Sequence, residues 1–380
     1  MLSYIFGDVA KRLDHPVHFD IVTGTSVGAI HACYLAGAQG EADCGSRLLD
    51  LWRSLSFDSV MAISPAEVLR VPLRLIGLGD ARESTAGDRI KWMFDAAGLE
   101  ALVAGAVPWN ALRSNIDSGA IAGLAVAATE IATGRTFVFA DCPGGLAPTC
   151  AADPLVETRT TQIGPVHALA SSAIPMIFPA IRIGRRFFSD GGLRMNTPLA
   201  PALRLGADRV LVIGLRHSYS GTEPDFAEER EAVAQSPIYL AGKALDAMLL
   251  DRVEYDLERM RLFNDILRCG TDTYGEEFIG EINRPIAARR GRAYKIVDSL
   301  FIRPSADIGV AAAECVRSQL RSGAGGFLKR SVLRYLGESE TGEADLLSYL
   351  YFDACYAERL IELGRLDAAS VEDELVEFFS

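Results

Sequence analysis

Residues 2–13 place Leu2, Ile5, Phe6, Val9 and Leu13 at spacings of three and four, which predicts a helix with one apolar face. Residues 18–23 are short, β-branched and closed by Gly24, the pattern of a buried strand. Residues 27–37 return to helical character, so the chain opens as helix, strand, tight turn, helix. Helical material continues through 45–107, punctuated by Pro65, Pro72 and Pro108. Residues 124–128 and 136–140 read as strands on either side of the turn Thr133-Gly134-Arg135. After a loop rich in Cys, Pro and Gly at 141–155 come a helix at 166–172, a strand pair within 181–188 and an apolar strand at 210–215.

The longest amphipathic segment is 238–268, with Leu245, Leu249, Val253, Leu257, Met260 and Leu267 in one stripe. Its polar face mixes acids with arginine, so a helix docked on the core is expected rather than one lying on a membrane. A late strand at 294–302 and helices at 307–321, 324–336 and 345–363 close the chain. Strands alternating with helices predict an α/β protein: a three-layer α/β/α sandwich with a mostly parallel central sheet, plus C-terminal helices.

Composition narrows the class. With 49% apolar and 23% charged residues in 380, the chain is globular, and collagen, coiled-coil and disordered readings are excluded. The 38 basic and 50 acidic residues leave a net charge of −12, which repels a polyanion, so nucleic acid is not an expected partner. The seven cysteines are scattered, with no Cys-x-x-Cys or Cys/His spacing. Reduced thiols, a cytoplasmic setting and no metal site are therefore expected. No stretch approaches the ~18 apolar residues of a membrane span, because Glu130 interrupts the best candidate around 120–132. The basic cluster Arg289, Arg290 and Arg292 reads as a solvated face that could meet lipid phosphates at a membrane surface.

Candidate chemistry begins at Gly24-Thr25-Ser26-Val27-Gly28, a G-x-S-x-G between a predicted strand and a predicted helix. A random match is expected in about one chain of this length in five, so the motif alone decides little. The strand-turn-helix context is what a nucleophile elbow requires: a sharp turn that presents the serine Oγ, with glycines where strand and helix pass closely. The plain alternative is a glycine-rich turn with a serine N-cap.

A serine nucleophile needs a base. Of the five histidines, only His217 fits the order of a Ser-Asp-His hydrolase, and a nucleophile as early as position 26 argues against that fold. Asp190-Gly191-Gly192 follows the strand residues Arg186-Phe187-Phe188 and puts an acid at a strand end with two glycines relaxing the turn behind it.

These residues resemble the patatin-like phospholipases, a family that uses a Ser–Asp dyad rather than a triad. The run FDIVTGTSVGAIHA is similar to that family's strand, elbow and helix, and HALASSAIPMIFPAIRIGRRFFSDGGLRMNTPLAPALRLGADRVLVIGL to its second conserved block. LAVAATEIATGRTFVF resembles the central strand pair, and DLLSYLYFDACYAERLIELGRLDA, more loosely, the C-terminal region of bacterial members. The resemblance implies Ser26 as nucleophile, Asp190 as general base, Val27 with Gly24 and Gly28 at the elbow and oxyanion site, and Gly191 and Gly192 in the dyad loop. It implies hydrolysis of fatty-acyl esters or phospholipids, peripheral membrane contact and no cofactor. It divides the chain into a catalytic core at 1–215 and a helical extension with a late strand, packed on it, at 216–380. Ser171 and Ser172, in the run A-S-S-A-I-P, carry a structural role on this reading, and Ile174, Met176, Ile177 and Phe178 are candidates for the acyl pocket.

One departure stands out. The family opens with a strand and a G-G-G-x-[RK]-G loop whose amides form much of the oxyanion hole, and no such glycine cluster precedes Gly24 here. The expectation is a start at an internal methionine, leaving a core without its first strand and glycine loop. A catalytically impaired lipid-binding or regulatory protein on the same scaffold, and a triad esterase using His217, are the alternatives.

Overall fold

The computed structural model describes residues 1–56, 60, 97–145, 154–175, 177–195, 197–217, 240, 243–244, 253–290, 293–322, 349 and 351–380. The first helix, α1, runs as Leu2–Tyr4, a π-helical segment Ile5–Val9, and Ala10–Leu13. Strand β1 (Ile21–Thr25) leads through Ser26 into α2 (Val27–Gly37), followed by α3 (Cys44–Ser54), α4 (Ala97–Ala106) and α5 (Trp109–Asp117). Then come β2 (Gly123–Glu130), β3 (Thr136–Asp141), β4 (Val156–Thr160), α6 (Pro165–Ser171), β5 (Ile181–Ile183) and β6 (Arg186–Asp190). The chain continues with α7 (Leu199–Leu205), β7 (Arg209–Ile213), α8 (Val253–Tyr274), α9 (Phe278–Arg290), β8 (Asp298–Ile302), α10 (Ile308–Ser322), α11 (Ala354–Ala369) and α12 (Glu372–Phe379).

These elements build the expected α/β/α sandwich around a mixed sheet flanked by helices. Strand β2 is its axis and is buried along its whole length. One edge of β2 pairs antiparallel with β3, from Leu124 opposite Asp141 to Thr129 opposite Thr136, and β4 adds parallel to β3. The other edge is divided. Strand β1 runs parallel to its first half, from Ile21 opposite Gly123 to Thr25 opposite Ala127. Strand β6 runs antiparallel to its second half, from Glu130 opposite Phe188 to Ala128 opposite Asp190, with β5 outside it. Strands β7 and β8 form a separate parallel pair. Among the described residues no strand pairs with the second edge of β1.

The main core fills the space between sheet and helices with Leu112, Ile116, Leu124, Phe137 and Phe188, all nearly inaccessible. The C-terminal part interlocks with the rest. Leu257 and Met260 of α8 pack on Val210 and Val212 of β7, and Ala368 and Leu375 pack on Ile5 and Val9 of α1.

Several elements escape sequence reading, α7, α9 and α12 among them, and two others show why. Helix α5 starts directly after Pro108, whose carbonyl accepts from Leu112 N–H, so the proline read as a break is the N-cap of a helix. Strand β4 is Val-Glu-Thr-Arg-Thr, polar enough to read as loop, and it is an edge strand whose Glu157 and Arg159 pair on the exposed surface. The stripe predicted over 238–268 is described from Val253 onward, where Leu257, Met260 and Leu267 are buried. Leu245 and Leu249, the helix at 324–336 and Arg292 lie outside the described residues, as do the side chains of Arg289 and Arg290.

The cysteine expectation is corrected. Cys315 on α10 and Cys355 on α11 form a disulfide, with a Cα separation of 6.2 Å. The two helices pack side by side, which a sequence separation of 40 does not reveal. The cysteines thus no longer argue for a reducing compartment. No described helix is long and apolar enough to cross a membrane.

Candidate active site

The divided edge of β2 builds the site. Strands β1 and β6 run toward each other along it and stop at adjacent register positions, Thr25 opposite Ala127 and Asp190 opposite Ala128. The residue after Thr25 is Ser26, so the elbow serine and the strand-end aspartate are brought together from 164 positions apart. The Ser26 hydroxyl donates to Asp190 Oδ2 at 2.6 Å.

Local backbone explains the glycines. Ser26 has φ 56° and ψ −133°, a strained conformation for a residue with a side chain, which turns its Oγ out of the strand direction. A Cβ on Gly24 would collide with the backbone of Gly28 and Ala29, and one on Gly191 with the carbonyl of Ala127. Both glycines are therefore required by close backbone approach. Gly28 differs: a Cβ there meets nothing within 4 Å, so its place in the motif is not explained by crowding.

Asp190 is fully buried. Its Oδ1 accepts the Gly192 N–H at 2.7 Å, which fixes the carboxylate and leaves Oδ2 for Ser26. Burial raises its pKa from 3.8 to about 7, even though the hydrogen bonds from Ser26 and Gly192 favour the ionised form. A carboxylate poised near neutrality is a far better proton acceptor than an ordinary aspartate.

The backbone of Ser26 is held by the end of α6. Ser26 N–H donates to Ser171 Oγ at 2.9 Å, and the Ser171 hydroxyl donates to the Ala127 carbonyl at 2.6 Å. The Ser172 hydroxyl lies 3.0 Å from the Ser26 carbonyl and 2.9 Å from that of Ala168, sharing its one proton between them. The next carbonyl, Ala173, accepts the Asp190 N–H at 2.8 Å and the Ser189 hydroxyl at 2.7 Å. Val27 N–H is the first amide of α2 and has no acceptor among the described residues, as expected at a helix start.

The histidines stand apart. None is among the polar partners of Ser26 or Asp190. His217 is buried with Nδ1 4.0 Å from Asp307 Oδ2. His31 accepts from Trp52 Nε1, and burial lowers its pKa to about 4, so it is neutral at physiological pH. His167 accepts the Gly164 N–H inside the turn that starts α6, and burial lowers its pKa.

A cavity of about 1180 Å³ runs along the second edge of β1 and reaches Val27 and Gly28, with His31, Trp52, Val212 and Ile361 in its wall. Of the residues proposed from sequence for an acyl pocket, Ile174, Ile177 and Phe178 are not part of it. Ile174, Ile177 and Phe178 are packed into the main core beside Val126 and Phe188, and Met176 lies outside the described residues. Nearness to the motif in sequence did not report on the direction these side chains face. Among the described residues no His, Cys, Asp and Glu side chains cluster as metal ligands would.

Compared with known families, residues 1–203 match the model described as patatin-like phospholipase. No curated protein matches the chain.

Proposed function

The chain belongs to the patatin-like phospholipases, and on that premise we propose that it cleaves fatty-acyl esters of phospholipids and related lipids through a Ser26–Asp190 dyad and an acyl-enzyme. The observation that carries this reading is the 2.6 Å hydrogen bond from Ser26 Oγ to a buried Asp190 with a pKa of about 7. Asp190 takes the Ser26 proton as Oγ attacks the ester carbonyl carbon. The negative charge that develops on the carbonyl oxygen is met by Val27 N–H at the positive end of α2. Collapse expels the alcohol, which receives the proton from Asp190, and leaves the acyl group on Ser26. Asp190 then deprotonates a water, which attacks the acyl-enzyme, and on collapse the proton passes from Asp190 to the departing Ser26 Oγ as the fatty acid is released. Gly24 and Gly191 let the two strand ends approach, and Gly192 holds the base. Residues 1–215 act as the catalytic core, with 216–380 as an extension packed on it.

A fluorophosphonate probe tests the proposal, because it reacts only with an activated serine. Peptide mapping should place the label on Ser26, and Ser26→Ala should lose both label and hydrolysis of medium-chain p-nitrophenyl esters. Label on another serine, or undiminished turnover by Ser26→Ala, overturns the dyad. A protein that binds lipid vesicles yet takes no label would be the catalytically impaired member of the family.

A further inference from the structure

The bonds around Ser26 and Asp190 converge on three consecutive residues, and we propose that Ser171-Ser172-Ala173 is a positioning template that sets the geometry between nucleophile and base. The proposal rests on the dyad reading. Ser171 and Ser172 hold the Ser26 peptide from both sides, one accepting from its N–H and the other donating toward its carbonyl. Ala173 holds the base by its backbone, accepting the Asp190 N–H, and a second bond from the Ser189 hydroxyl reinforces it. The two dyad members lie on different strands, and the described hydrogen bonds reach both of their backbones from this one run.

Ser171 is the centre of the template. It is fully buried, and its single hydroxyl proton is spent on the Ala127 carbonyl. Its oxygen can therefore only accept from Ser26 N–H. Ala127 is the β2 residue opposite Thr25, the last residue of β1, so Ser171 fastens the elbow to the central strand at the step where β1 ends. Two consequences follow. The strained φ of Ser26 is held by a buried partner rather than by water, so Oγ stays aimed at Asp190. With the Ser26 amide committed to Ser171, the free amide beside the nucleophile is that of Val27.

The test is steady-state hydrolysis of a p-nitrophenyl ester with fluorophosphonate labelling, on the full chain and its Ser171→Ala, Ser171→Thr, Ser172→Ala and Ser26→Ala variants. A nucleophile displaced by about 1 Å should lower kcat by roughly 10²-fold in Ser171→Ala. KM should stay within about twofold, since ground-state binding is untouched. The labelling rate should fall in step with kcat, the pH midpoint set by Asp190 should not move, and Ser171→Thr should recover much of the loss. Wild-type kcat in a folded Ser171→Ala, alongside an inactive Ser26→Ala, overturns the template while leaving the dyad standing. Full activity in Ser26→Ala overturns the dyad itself. If Ser171→Ala does not fold, Ser172→Ala decides: a several-fold loss in kcat at constant KM supports the template, and unchanged kcat overturns it.

Discussion

Replacing Asp190 with asparagine should make the protein inactive and, above neutral pH, more stable. The carboxyl is fully buried and its pKa is about 7 in the folded chain, against 3.8 as its ordinary value. Between those two pH values the folded state keeps a proton that the unfolded state has lost, so stability falls as pH rises from about 4 to about 7. A difference of about three units at 1.36 kcal/mol each amounts to about 4 kcal/mol, present in full below pH 4 and lost above pH 7. Asparagine has the same shape and can still accept from Gly192 N–H, yet it does not titrate. Its amide donates toward Ser26 and cannot take a proton. Guanidinium denaturation of parent and variant at pH 5 and pH 8 measures the difference directly, since every other titrating group cancels in the comparison. The gain of the variant over the parent should be larger by roughly 3 kcal/mol at pH 8, or a few degrees in melting temperature for a chain of this size. The same ionisation governs the parent's kcat/KM, which should rise with pH through a midpoint near 7. Stability curves that run parallel across this range would refute the reasoning, because they would mean that burial does not hold the proton on Asp190.

Two further outcomes are expected. His217→Ala should keep ester hydrolysis within a few-fold of the parent, because His217 approaches Asp307 and no histidine touches the dyad; a large loss, with Asp190→Asn near normal, would restore the triad reading. Gly24→Ala should cost about 1–3 kcal/mol in denaturant titration and abolish labelling of Ser26, since its Cβ meets the Gly28 backbone, whereas Gly28→Ala, which faces open space, should fold with unchanged or slightly raised stability; the opposite order would show that the elbow is not packed as described.

The candidate pair was legible in the sequence because each member sits in a local pattern: a strand, a glycine-flanked serine and a helix around Ser26, and a strand end with two glycines at Asp190. Alternation of strand and helix also gave the layered α/β architecture. Hydrophobic period fails where an element is short, polar and at an edge, as β4 is, and where a proline caps a helix instead of ending one, as Pro108 does. The pairing of Cys315 with Cys355 and the inward packing of Ile174, Ile177 and Phe178 depend on how helices and sheet stack, and no local pattern records that.

What the sequence alone determined, then, is which residues are candidates for chemistry, because turn geometry and side-chain type are local properties. Their meeting was decided by the sheet. Ser26 and Asp190 face each other because β1 and β6 share one edge of β2 and end at neighbouring register positions, Ala127 and Ala128. The elevated pKa of Asp190 is tertiary in the same sense: a carboxyl titrates near 4 wherever water reaches it, and only the packing of the whole core around Asp190 removes that water.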